Sequence, residues 1–356
     1  MNKISNLFLL LKKPKLIIVV GRGRETAAEA IFQVLKKYFN VAKIQNREPG
    51  IREILNNEIL ISEKIFSWSH PFVLVATHVG EYHPEKEFFA GEEEEVKETK
   101  ELLKNLRPNS FLVVNYDDET VRELEDLINV SSLNFGLGAR AKVGASDITI
   151  AKNLNFKINY EGKIVPVWLS NTFGREQIYA SLAAASLGII FGINLVEVSE
   201  ALALYKSLPG RMQLISGIKN SLVLDDSAAS SVFSMVEALD ILRKMEAVPD
   251  GKQGRKIAVL GDVVGVGKYA IEAHEAIGEK VRSSADLLFA VGAKARFIAE
   301  GAEAKGMAKE NIFQFDLAKE AAKVIQEKVQ EGDIILVDGS KEMQMSEVVG
   351  GIRLEK

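Results

Sequence analysis

The stretch that most constrains this chain is 16–36, LIIVVGRGRETAAEAIFQVLK. The unbroken apolar run Leu16–Val20 suits a strand buried on both faces, as in a parallel sheet. A Gly/Arg turn follows, and Thr26 opens a helix with Ala30, Ile31, Val34 and Leu35 along one side. Strand, glycine turn and helix N-terminus together make a cradle for an anion, because backbone N–H groups and the helix dipole point at the same spot. A P-loop ends in Gly-Lys-Ser/Thr, its lysine reaching the outer phosphates and its hydroxyl holding Mg²⁺. Arg24, Glu25 and Thr26 stand at those positions here, so the scaffold is kept while a carboxylate replaces the cation. Gly21 and Gly23 equally suit a tight strand-to-helix turn of a Rossmann-type sheet.

A length of 356 residues fits two domains, each able to bury its own core. The formal charge of −4 argues against a general nucleic-acid binder, which carries a basic face. Cysteine is absent, which excludes disulfides and thiolate metal sites and suits a reducing cytoplasm. The N-terminal LFLLL is too short for a signal-peptide core or a membrane span. Ala180–Leu195 is longer, but glycines interrupt it and Arg175 and Glu176 precede it, so it reads as a buried helix. A cytoplasmic protein without a membrane span is expected.

Beyond the first strand and helix, Val41–Ile44 reads as a short strand and Gln45–Phe66 as polar and irregular. Pro71–Thr77 and Phe111–Asn115 read as buried strands, Glu92–Leu106 and Glu119–Ile128 as helices. Such an arrangement describes an open parallel α/β sheet, with polar clusters beyond the strands' carboxyl ends, where ligands bind. Ile148–Ile150, Phe156–Tyr160 and Ile164–Trp168 alternate like a β meander. Gly174–Phe191 and Val196–Tyr205 then read as helices. Leu208-Pro209-Gly210-Arg211 punctuates the chain and divides it into domains 1–209 and 210–356. After β structure in Met212–Ile218 and Ser221–Leu224, strands near 257–260, 287–291, 312–315 and 334–337 alternate with helices over 234–245, 269–283, 293–304 and 317–329. A second, Rossmann-like α/β domain follows from that alternation.

The order of these pieces resembles the Mur ligase family, ATP-dependent enzymes that join a carboxylate to an amine. The likeness is greatest to the branch that adds D-alanyl-D-alanine to the muramoyl peptide, and it covers the family's central and C-terminal domains. Leu208–Gln213 (LPGRMQ) resembles the family's PGR linker, whose arginine reaches the nucleotide. Asp225-Asp226 with Ser234-Met235 resembles DDxYNANPxSM, and Gly261-Asp262 with Gly267 and His274 resembles GDMxELGxxxxxxH. Gly339-Ser340 resembles KGS, Gly174–Ala184 stands where the family has GxHNxxNALAA, and Asn115–Asp118 matches NxDD. Thr77-His78 through Lys100 resembles the run TNIxxxHL…FGSxExIAxAK, whose histidine helps bind Mg²⁺ and whose lysine is carbamoylated as a metal ligand. The resemblance implies ATP and Mg²⁺ as cofactors and an amide formed through an acyl-phosphate, in cell-wall peptide synthesis. It assigns phosphate contacts to Gly21, Gly23 and Arg24, and Mg²⁺ to Thr26, His83 and Lys100, with His83, Lys100 and Arg211 in catalytic places. Arg211, Asp226 and His274 fall at nucleotide-contacting positions. The substrates would be a nucleotide and a small peptide or amino acid. Only about fifteen residues precede the first strand, so a partner is expected to supply the family's UDP-binding function.

Departures from the pattern gather on the nucleotide. Glu25 replaces lysine, Ala228–Ser231 replaces YNAN, Asp338 replaces the lysine of KGS, and Glu176-Gln177 replaces His-Asn. Between Ile54 and Pro71 the chain looks too short for the strand that carries the family's metal-binding glutamate. His83 lies fourteen residues before Lys97, and fourteen before Lys100 is Lys86. A misplaced charge about 4 Å from a phosphate is worth about 4 kcal/mol at an effective dielectric of 20. Arg22 or Arg24 is placed to supply the missing cation. The alternative function is a pseudoenzyme, a Mur-fold protein acting as a binding or scaffold protein. Plainer roles also stand: a solvated His83, i,i+4 pairing for Lys100, capping for Asp225 and Asp226, core packing for His274, and a structural turn for Arg211. A dinucleotide-binding oxidoreductase lacks its acidic residue about twenty positions after the glycine loop.

Overall fold

The computed structural model describes residues 14–44, 49, 51–63, 71–79, 93–104, 106–125, 128–150, 153–228, 231–245, 254–264 and 266–354. Strand β1 (Lys15–Val20) leads through the glycine turn into helix α1 (Arg24–Leu35). There follow β2 (Val41–Ile44), α2 (Ile51–Asn56), β3 (Ile59–Ser62), β4 (Val73–Ala76), α3 (Glu93–Lys104), β5 (Phe111–Asn115), α4 (Glu119–Glu125) and β6 (Ser131–Gly136). The meander β7 (Val143–Ile150), β8 (Asn153–Tyr160) and β9 (Lys163–Ser170) precedes α5 (Arg175–Ile190) and α6 (Leu195–Ala203). All nine strands form one sheet in the order β2-β3-β1-β4-β5-β6-β7-β8-β9, parallel through β7 and antiparallel beyond it.

Burial explains why β1 is apolar throughout. Ile17 and Val19 enter one core with α1, α5 and α6, while Leu16, Ile18 and Val20 enter another with Leu74, Leu112, Leu102 and Val121. At about 1.5–3 kcal/mol per buried aliphatic side chain, neither face tolerates a polar residue cheaply. Helix α5 is apolar nearly all round because it is covered on all sides, with Gln177 to Gly188 buried. Irregular structure was expected over Gln45–Phe66, yet α2 and β3 occupy part of it. β3 pairs with both β1 and β2, and Glu63 follows its carboxyl end, so a glutamate-bearing strand does fit between Ile54 and Pro71. Its four residues, Ile59–Ser62, are too few to show a strand period in sequence.

The second sheet has the order β10-β11-β15-β12-β13-β14, with only β10 antiparallel. Its elements are β10 (Gln213–Ser216), β11 (Leu222–Asp226), α7 (Val232–Lys244), β12 (Lys256–Gly261), α8 (Ala270–Val281), β13 (Leu287–Val291), α9 (Ala295–Ala304), β14 (Ile312–Phe315), α10 (Ala318–Lys328), β15 (Ile334–Asp338) and α11 (Ser346–Ile352). β12 again divides its side chains, Ala258 and Leu260 entering one core and Ile257 and Val259 the other.

Strand order locates the site. In the first sheet the chain leaves β1 for β2 and β3 on one side, then crosses to β4 on the other. In the second it passes from β11 to β12, leaving a gap that β15 fills. Such reversals open crevices beyond the strands' carboxyl ends. Among the described residues no helix is long and apolar enough to cross a membrane.

Candidate functional site

Gly21 and Gly23 take φ of +94° and +75°, which side chains with a Cβ rarely adopt. Space is lacking at Gly21 as well, since a Cβ there would lie 2.7 Å from the His78 carbonyl and the Thr77 hydroxyl. The loop is sewn to β4: the Arg22 amide donates to the His78 carbonyl (2.8 Å), and the Thr77 hydroxyl donates to the Val20 carbonyl (2.8 Å). Gly23 is the N-cap of α1 and supplies no side-chain cap, so the helix N-terminus remains a place for an anion. Thr26 is wholly buried and its hydroxyl donates to the Glu176 carboxylate. Glu25 carries an ion pair to Arg211, 3.0 Å between Oε2 and Nη2.

Arg211 reaches Glu25 because its turn is tied to both units. Asp225 accepts from the Gly210 amide (3.1 Å) and Asp226 from the Met212 amide (3.0 Å), hanging the turn on β11. On the other side the Gln177 side chain donates to the Arg211 carbonyl (3.1 Å), and Tyr205 donates its hydroxyl to Gln177 (2.8 Å). The pair of aspartates therefore fixes the turn, and the cap of α7 is Ser231 instead. Burial acts to lower the Arg211 pKa, but Glu176 and Glu25 outweigh it and the net shift is upward.

A cleft of about 400 Å³ opens over the loop. One wall is Gly21–Glu25, His78, Arg175, Glu176 and Tyr179, the other Ala228, Ser231, Phe233, Ser234, Glu237, Val264 and Ser340–Glu342, with Arg211 between them. His78 receives a hydrogen bond from Asn115 (2.9 Å to Nε2) and lies edge-on to Tyr179, whose hydroxyl donates to Asp117 (3.0 Å). Burial pushes the His78 pKa down to about 4, leaving the ring neutral at physiological pH. Glu63 has its carboxyl pushed up by burial, then by Glu25.

Behind the cleft, Asp226 and Asp338 are register partners on adjacent parallel strands. Burial raises both carboxyls well above the ordinary range. Glu176 adds to the effect on Asp226 and Asp226 to that on Asp338. Neither Asp338 oxygen has a hydrogen-bond partner among the described residues. An aspartate whose folded pKa is raised contributes stability below its unfolded pKa and loses it as pH rises toward the folded one. Asp338→Asn is therefore expected to raise stability at pH 8 by about 1–3 kcal/mol, the range for an unsatisfied buried polar group, and to gain less at pH 4. Urea midpoints at the two pH values check this, and an unchanged or lower midpoint at pH 8 would count against it.

Of the residues singled out by sequence, the fold brings Gly21, Gly23, Arg24, Thr26, Arg211 and Asp226 to the cleft or its floor. His83 lies outside the described residues. Lys100 is exposed on α3 and is not among the residues lining the cleft. The His274 ring is fully buried and is not among the residues lining the cleft, its Nε2 accepting from the Val263 amide (3.0 Å) and its Nδ1 facing the Ala270 carbonyl. It fastens the loop after β12 to α8. Tyr179, Phe233 and Glu237 were not anticipated. A signal existed for Tyr179, since Arg175, Glu176 and Tyr179 fall at i, i+1 and i+4 in the first turn of an otherwise apolar helix.

Two α/β units joined by an arginine-bearing turn, with a glycine loop facing the second unit's strand ends across a cleft, define a class of two-sheet α/β proteins. Comparison with known families narrows this. The Mur ligase middle domain matches residues 15–188, and the Mur ligase glutamate ligase domain matches residues 210–341. The chain belongs to the Mur ligase family. It is similar to the UDP-N-acetylmuramoyl-tripeptide–D-alanyl-D-alanine ligase of Bacillus subtilis, with 25% identity over 98% of this chain and 78% of that protein. The Escherichia coli enzyme of the same name is 31% identical over 51% of this chain, a match spanning 37% of its own length. Among solved structures, the MurF ligase of Thermotoga maritima in complex with ADP shares the fold at a TM-score of 0.77. It is 21% identical, over 98% of this chain and 82% of that one.

Proposed function

We propose that the protein is an ATP-dependent carboxylate–amine ligase, forming an amide through an acyl-phosphate in cell-wall peptide synthesis in the cytoplasm. The observation that carries this is the Gly21–Thr26 loop at the start of α1, opening on a cleft closed by the strand ends of the second sheet. The residues fit a nucleotide's phosphates: a Cβ would fill the cradle at Gly21, and Arg22, Arg24, Arg175, Arg211 and Lys341 line or border it. The Thr26 hydroxyl is a hard oxygen donor of the type Mg²⁺ takes. Mg²⁺ would there neutralise charge developing on the transferred phosphoryl group.

In this reading Gly21, Gly23 and Arg24 cradle phosphate, Arg211 contacts the nucleotide, and the neutral His78 with Tyr179 shapes the wall nearest the loop. The chain divides into domains at Pro209-Gly210, the turn that carries Arg211 to the cleft. The acceptor amine is a small peptide or amino acid, D-alanyl-D-alanine being the first to try from the names of the relatives. Calorimetric titration with Mg²⁺–ATP tests the reading, followed by phosphate release in the presence of candidate amines. Micromolar binding and amine-dependent release are expected. Absence of binding at millimolar ATP would overturn it and leave a binding or scaffold protein.

A further inference from the structure

Two of the departures from the family pattern meet in space. Glu25 of α1 and Glu176 of α5 lie 151 positions apart, from 25 to 176, yet both act on Arg211 and both stand at the start of α1. The Glu176 carboxylate takes the hydrogen bond of the buried Thr26 hydroxyl. Its side chain also lies 3.3 Å from where a Cβ on Gly23, the N-cap of α1, would project. Glu25 takes Nη2 of Arg211 at 3.0 Å. A helix N-terminus, a hydroxyl and a guanidinium are the groups that hold a phosphate, and carboxylates satisfy them in the same way.

We infer that the phosphate loop is self-occupied: Glu176, assisted by Glu25, sits as an internal anion in the phosphate position, and a phosphate ligand enters by displacing both. The inference rests on the nucleotide reading for the identity of that ligand, and on geometry alone for the occupancy. Entry exchanges one anion for another at Thr26 and Arg211, so the donors stay satisfied throughout. Displacement also frees Arg211 from α1, which breaks the ion pair between the turn and the first unit. Empty and loaded forms are thereby held in different ways, the first by carboxylates of the chain and the second by the ligand. Glu25 is thus more than a missing lysine, and restoring lysine there would set a cation against Arg211.

Glu176→Gln and Glu25→Gln test this, with Glu237→Gln as control for simple removal of negative charge from the cleft. Glu237 bonds the Arg175 amide (2.8 Å) and lines the same cleft. Mg²⁺–ADP and, separately, inorganic pyrophosphate are titrated calorimetrically at one ionic strength, with thermal unfolding confirming that each variant is folded. A site filled by its own side chain nine-tenths of the time weakens apparent affinity about tenfold, so the Glu176 and Glu25 variants are expected to bind on the order of tenfold tighter. The Glu237 variant should change little by comparison. Equal or weaker binding by the first two variants, or an equal gain in the control, overturns self-occupancy and leaves the nucleotide reading intact. Tightened pyrophosphate without Mg²⁺–ADP binding supports self-occupancy and overturns the nucleotide. Binding of neither ligand by wild type or by the Glu25/Glu176 double variant overturns both.

Discussion

Replacing Arg211 by alanine is expected to weaken Mg²⁺–ATP binding by about two orders of magnitude and to lower stability as well. The guanidinium is mostly covered, with a side-chain exposure of 18%, whereas its partner Glu25 is 50% exposed. Breaking a fully buried pair costs about 3–5 kcal/mol, because one charge is left without compensation. Half-exposure of Glu25 lets water take over part of that role, so about 1–3 kcal/mol is the better expectation here. Glu176 and Asp226 also lose the cation they face, which leaves carboxylates alone around the floor of the cleft. Binding suffers more than folding, since any phosphate would then meet those carboxylates without the arginine between. Combining the change with Glu25→Gln should recover part of the stability, and a double-mutant cycle should give a coupling of about 0.5–3 kcal/mol. Additive losses would show that the pair seen at 3.0 Å does no work in solution.

That result turns on something the sequence could not display. The glycine loop, the parallel strands and the alternating second unit are local patterns, and the apolar runs at Leu16–Val20, Phe111–Asn115 and Leu287–Val291 mark strands because both faces of each sheet are covered. Short elements escape such reading. Helix α2 and strand β3, of six and four residues, carry too few positions to show a period. Helix α11 follows a left-handed Gln344 near the end of the chain and is seven residues long. His274 sat in a nucleotide-like motif, but burial of α8 against the core turned its ring to backbone groups.

The candidate site was legible as a set of residues and illegible as a set of contacts. Glu25 looks like a charge conflict in a linear reading, since the nearest cations in sequence, Arg22 and Arg24, belong to its own loop. Its partner lies 186 positions away and is delivered by a turn hung on Asp225, Asp226 and Gln177. The replacement of asparagine by Gln177 likewise gains its sense only in three dimensions, where the longer amide spans from Tyr205 to the Arg211 carbonyl. Asp338 resists even that account: it stands where the family has lysine, fully buried beside Asp226, and its oxygens find no donor among the described residues.

Thr26→Val is expected to separate binding from turnover. Valine matches threonine in shape, and the wholly buried side chain gives up a single hydrogen bond, to Glu176, so the fold should lose only about 1 kcal/mol. In the ligase reading the lost hydroxyl is an oxygen donor to Mg²⁺, and amine-dependent phosphate release should fall on the order of 10²- to 10³-fold, as when one preorganised stabilising group is removed from an active site. Nucleotide affinity should move the other way or hold steady. Glu176 loses the donor that keeps it at the start of α1, so it competes less well for the phosphate position. Thr26→Ser restores the hydroxyl and should restore most of the turnover. Parallel calorimetry and phosphate-release assays on the valine and serine variants decide the matter. Equal turnover in the valine variant would remove Thr26 from the chemistry and make its hydroxyl a structural tether for Glu176 alone.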